Sequence, residues 1–129
     1  LERYAALGLE IHVTELDVKP SDPMYAGLEP PEQLRAQAAL YASALAACRA
    51  QRRCTCFTTW GFTDRHCGTF CGESGLPPPG AFYFDREYAP KPARTAVAAA
   101  LTELPREKPY RVPYSRDEKG SFDGERRLT

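Results

Sequence analysis

Hydrophobic positions along this chain fall into two periods, and the alternation of the periods lays out its elements. From Leu9 to Thr14 apolar and β-branched residues recur at every second position, bounded by Gly8 before and by a proline-rich polar stretch after Asp17, which predicts a β-strand. Leu34, Ala38, Tyr41, Leu45 and Cys48 recur at alternating steps of four and three, which predicts a helix with one apolar stripe ending near Ala50. Its other face carries Arg35 and Gln37. Cys54 to Trp60 is again β-branched and aromatic, stops at Gly61 and predicts a second strand. A strand, a helix and a strand in that order imply a parallel crossover, with both strands buried and the helix over one face.

Turn chemistry fills the gaps. Leu1 to Leu7 reads as the tail of a helix, with Gly8 at the position where glycine alone adopts the left-handed conformation cheaply. Lys19 to Pro31 holds four prolines and reads as a long loop off the carboxyl end of the first strand. Pro31 and Glu32 suit the first turn of the helix that follows. Thr63 to Pro90 is loop-like, and a last helix runs from about Pro92 to Leu104. Beyond it, Pro105 to Thr129 is dense in charge and poor in large apolar residues, which predicts a flexible tail over 105–129 beside an ordered unit over 1–104.

Composition changes this picture little. A formal net charge of zero removes the attraction on which nucleic-acid and anionic-membrane binders depend, so neither partner is expected. The most apolar stretch, Ala36 to Cys48, is shorter than the ~20 residues a membrane span needs. The first residue is Leu1 rather than Met, and no stretch reads as a secretory signal, so further sequence upstream is expected. Five cysteines favour an oxidising compartment.

Two constellations could carry chemistry. Val13-Thr14-Glu15-Leu16-Asp17 ends the first strand, and alternation sends Glu15 and Asp17 to the same side. Acids also end many strands simply because solvent is there, and spacing does not decide between the two. Phe57 to Asp64, with Trp60 at its centre, ends the second strand, and an isolated tryptophan there suits a core as well as it suits a sugar platform.

Taken together, the TELD-ended strand, the helix bearing Gln and Tyr, the cysteine pair around the next turn, the TWGFTD-ended strand, FDREYAPKPA and the alanine-rich helix resemble the end of the family 10 glycoside hydrolases, the endo-β-1,4-xylanases. The resemblance covers about Leu1 to Leu104. It implies an α/β fold, the last two β/α units of an incomplete (β/α)₈ TIM barrel. It implies that Glu15 is the nucleophile of a retaining hydrolase, whose two carboxyl groups lie about 5 to 5.5 Å apart. Asp17 matches the acid that supports the nucleophile through a histidine outside this chain. Trp60 matches the aromatic floor under the sugar, and Arg65 and His66 extend the same cleft. Cys48 and Cys54 match a disulfide of the secreted members, so secretion is expected. A polysaccharide such as xylan is the implied partner, and two-carboxylate hydrolysis calls for no cofactor or metal.

The departures are specific. No second Trp follows Thr63-Asp64, where the family closes its sugar cage, and Cys67, Cys71 and Pro77-Pro78-Pro79 lie in that loop. A complete barrel holds about 250 residues, and two strands leave edges and helix faces exposed. The acid/base glutamate belongs to another strand, so the 129 residues alone are expected to be inactive. The alternative is a non-catalytic carbohydrate-binding or interaction fragment that keeps Trp60. A zinc module built on Cys54, Cys56, His66, Cys67 and Cys71 lacks paired-knuckle spacing.

Overall fold

The computed structural model describes residues 1–20, 22–66 and 80–103. Helix α1 (Glu2–Ala6) is followed by strand β1 (Ile11–Leu16), helix α2 (Pro30–Arg49), strand β2 (Cys54–Thr59) and helix α3 (Pro92–Glu103). Single 3₁₀ turns stand at Pro23–Tyr25 and Asp64–His66. The tail over 105–129 and the loop cysteines Cys67 and Cys71 lie outside the described residues.

Each boundary has a local cause. Gly8 sits at φ 80°, and the N–H groups of Gly8 and Leu9 donate back to the carbonyls of Ala5 (3.0 Å) and Tyr4 (3.3 Å), which closes α1 with a Schellman motif. Two prolines open α2, where their missing N–H groups leave no bond unmade, and the Glu32 carboxylate accepts from the Glu29 backbone N–H at 3.3 Å. Both α2 and α3 begin and end within two residues of where the sequence pattern puts them. Strand β1 starts and stops two residues later than its alternation suggests, so Glu15 falls inside it.

The two strands pair in parallel, Ile11 opposite Cys54 and Leu16 opposite Thr59, with irregularities between. Backbone bonds from Ile11 N–H to the Arg53 carbonyl (2.8 Å) and from Trp60 N–H to the Leu16 carbonyl (3.2 Å) continue the pairing at both ends. Helix α2 packs on α3 and on β2, and the core gathers Val18, Tyr25, Ala38, Tyr41 and Ala93, with Leu16 and Tyr83 packed against it.

Two expectations fail here. Among the strand residues only Ile11 is buried, because the helices cover one face and no described element covers the other. Gln37 is not on a solvent face of α2; it is completely buried, and it donates to the backbone carbonyls of Val18 (2.7 Å) and Gly80 (2.9 Å). Amphipathic spacing cannot see a polar side chain that is turned inward to satisfy loop carbonyls.

Candidate active site

Parallel pairing puts the carboxyl ends of β1 and β2 side by side, and both named constellations stand there. Leu16 packs into the helical core, so its neighbour Glu15 faces away from the helices, and its side chain is exposed. Tyr83 packs against the same core with its ring 4.8 Å from that of Tyr41, and the half-buried Thr59 ends β2. Trp60 follows it directly and is 54% exposed among the described residues. The Trp60–Leu16 backbone bond joins the two strands beside Glu15.

Asp17 is half-buried and borders the helical layer. Burial pushes the Tyr41 phenol well above its usual range, with the neighbouring Tyr83 and then the Asp17 charge adding to the effect. Asp17 also lines a cavity of about 210 Å³ with Lys19, Asp22 and Tyr25, on the loop that leaves β1. Its surroundings are therefore those of the loop as well as of the strand end.

Arg65 and His66 are exposed on the turn after β2 and converge on Tyr88. The Arg65 guanidinium lies 5.6 Å from the centre of the Tyr88 ring, and His66 Nε2 is hydrogen-bonded to the Tyr88 hydroxyl at 3.1 Å. Tyr88 itself adopts φ 63°, unusual for a residue with a side chain. It is held there by Asp85, whose carboxylate accepts from the N–H groups of Glu87 (2.9 Å) and Ala89 (2.8 Å).

Beneath the strand ends is a network that the hydrophobic pattern did not disclose. Asp64 and Lys91 are both buried, and Lys91 Nζ donates to Asp64 Oδ2 at 2.8 Å and also to the Gly80 carbonyl. Asp64 Oδ1 accepts from the Phe82 N–H at 2.9 Å, and the Tyr41 hydroxyl donates to the Ala81 carbonyl at 2.7 Å. Burial lowers the Lys91 pKa, opposed by the hydrogen bond and charge of Asp64. The one available signal was the placement of Lys91 between Pro90 and Pro92, where a long charged side chain has little backbone freedom.

Cys48 and Cys54 form a disulfide across the turn between α2 and β2. Cys54 is thereby removed from the candidate zinc ligands, and among the described residues no three His, Cys, Asp or Glu side chains are placed to hold a metal ion.

The family model described as Glycosyl hydrolase family 10 matches residues 1–100. An endo-1,4-beta-xylanase of Agaricus bisporus is 34% identical over 100 residues, covering 75% of this chain and 27% of that protein. Endo-1,4-beta-xylanase A of Caldicellulosiruptor saccharolyticus is 44% identical over 71 residues, 51% of this chain and 21% of that protein. Among solved structures, Penicillium canescens endo-1,4-beta-xylanase XylE superposes with a TM-score of 0.63 at 32% identity, covering 81% of this chain and 30% of that one. Xylanase 10B of Thermotoga petrophila, solved in complex with xylobiose, superposes with a TM-score of 0.63 at 30% identity over 79% of this chain and 29% of its own. The chain spans between 10% and 27% of the length of the first curated relatives it matches.

Proposed function

The chain belongs to glycosyl hydrolase family 10, and from that premise we propose that it is the nucleophile-bearing part of a retaining endo-1,4-β-xylanase. The observation that carries this reading is the exposed Glu15 at the carboxyl end of β1, beside the exposed Trp60 at the same end of β2. In parallel α/β architectures, catalytic groups gather at that end of the strands. The fold is then the last two β/α units of a (β/α)₈ barrel.

Glu15 attacks the anomeric carbon as the leaving oxygen takes a proton from a second carboxylic acid, and a glycosyl ester forms on Glu15. Water, activated by that second carboxylate, then releases the sugar with its original configuration. Asp17 supports Glu15 through a histidine contributed from elsewhere in the barrel. Trp60 presents a flat apolar face to the C–H surface of a sugar ring, and Arg65 and His66 bind substrate at the edge of the cleft. Xylan or a related β-1,4-linked polymer is the substrate, and the chemistry draws on no cofactor. Secretion accords with the Cys48–Cys54 disulfide and with a polymeric substrate.

The 129 residues alone hold no acid/base partner for Glu15 in this scheme, so the purified chain is expected to release no reducing sugar from xylan. Turnover by that chain would overturn the division of roles. The nucleophile is tested in a chimera in which residues 1–100 replace the matching segment of the Penicillium canescens xylanase. In it Glu15→Ala should stop xylan cleavage, and azide, entering the space the carboxylate leaves, should restore turnover of an activated xyloside as the α-xylosyl azide. Failure of azide to do so, with the variant folded, removes Glu15 from that role. A carbohydrate-binding role without catalysis is the second reading, favoured by the lack of a second Trp after Asp64. It predicts a chimera that binds xylan and does not cleave it.

A further inference from the structure

Trp60 is the single tryptophan of the chain, and its backbone is gripped from two sides. On one side its N–H donates to the carbonyl of Leu16, the residue after Glu15. On the other, Gly61 lies so close to the Phe82 ring that a Cβ there would come within 2.9 Å of two ring atoms. Phe82 is buried, and its own N–H donates to Asp64 Oδ1 at 2.9 Å. Asp64 Oδ2 receives Lys91 Nζ at 2.8 Å, with both side chains only 7% exposed. Lys91 and Gln37 both donate to the carbonyl of Gly80, and a Cβ on Gly80 would stand 2.3 Å from Asp64 Cγ.

We infer that the buried Asp64–Lys91 pair is a positioning device for Trp60, acting through Phe82 and Gly61 to fix the indole relative to the end of β1. Two buried charges are a poor way to gain stability, because removing them from water costs about as much as their attraction returns; their better-attested use is to fix one arrangement. The packing agrees. Ala81 and Phe82 form an apolar cluster of their own, apart from the core around Tyr41 and joined to α2 by the hydrogen bonds of Gln37 and Tyr41 to the Gly80 and Ala81 carbonyls, so the side chain next to the pair is that of the strand-end segment. Its consequence for sugar binding rests on the role given to Trp60 above; the positional claim does not.

The test follows the indole N–H resonance of the ¹⁵N-labelled full chain, one signal because there is one Trp. In Lys91→Met and in Gly61→Ala, with helical circular dichroism retained, this resonance should shift and broaden. Lys91→Arg, which keeps a donor for Asp64, should bring it back towards its original place. Leu45→Ala, which loosens the helical core instead, should leave it where it was. An indole signal unchanged in folded Lys91→Met and Gly61→Ala overturns the inference, as does an equal change in Leu45→Ala. Should Lys91→Met fail to fold, Gly61→Ala and the neutral double variant Asp64→Asn/Lys91→Met carry the same comparison. In the xylanase chimera, Lys91→Met should raise KM for xylan more than it lowers kcat. A chimera without activity would sink the proposed function while the resonance still decides the positioning.

Discussion

At the amino end of the strand pair the fastening is covalent and local: Cys48 and Cys54, six residues apart, are bonded across the turn that leads into β2. At the carboxyl end it is electrostatic and distant in sequence: Asp64 meets Lys91 27 positions on, and Gln37 reaches Gly80 43 positions on. The difference teaches a division of labour. A short staple holds an end where nothing has to be aimed, whereas directional bonds to carbonyls and a carboxylate set positions at the end that presents Glu15 and Trp60. Barrel enzymes divide stability and chemistry between the two faces in the same sense.

The largest expected effect separates aim from stability outright. In the xylanase chimera Glu15→Gln should cost about 10⁴- to 10⁶-fold in xylan hydrolysis, the scale of losing a catalytic nucleophile. Its urea unfolding midpoint should stay put, because the side chain is exposed. A lower midpoint would make Glu15 a structural acid and erase the contrast between the ends. Next comes Lys91→Met, which takes the ammonium away from a buried Asp64 and should cost roughly 3 to 5 kcal/mol in denaturant unfolding. Adding Asp64→Asn should recover part of that, since the buried negative charge is then removed as well.

Reducing the Cys48–Cys54 disulfide should cost less, about 2 to 3 kcal/mol by loop entropy, and should leave the environment of Trp60 unchanged in fluorescence. A change in the indole would show that the two ends are coupled. The smallest effect is alkaline. The Tyr41 pKa is raised above its ordinary 10.0, so the folded chain keeps a proton that the unfolded chain loses. Its stability contribution is complete below pH 10 and falls by about 1.4 kcal/mol per pH unit above it. Lys91 works the other way: its pKa lies below 10.5, so it adds stability as pH rises towards 10.5 and nothing beyond. Above that point Tyr41 governs together with Tyr25 and Tyr83, whose phenol pKa values burial also raises, and urea midpoints measured across the range should turn downward.

The same contrast explains what could be read from the residues. Elements with a period were legible, and so were the positions of Glu15 and Trp60 at strand ends, because β-alternation and glycine punctuation are local. The disulfide was reached through the family likeness and needed only two cysteines a turn apart. Gln37 was misread, because a polar residue on a helix normally points to water, and its burial depends on carbonyls 19 and 43 positions away. Asp64 was read as part of a strand-end motif without its lysine. Arg65 and His66 were assigned to the cleft, while their contacts with Tyr88 depend on a backbone conformation at that residue that composition does not announce.

Gly80 carries a practical warning for anyone who scans this chain by substitution. With Asp64 Cγ 2.3 Å from where a Cβ would be, every replacement there collides with a carboxylate that Lys91 and Phe82 already hold in place. A screen of the xylanase chimera scored by activity alone would rank Gly80 alongside Glu15 and invite a chemical role for a residue that has no side chain. Scoring abundance in parallel separates them, because Gly80 variants should vanish from the soluble fraction while Glu15 variants accumulate, silent.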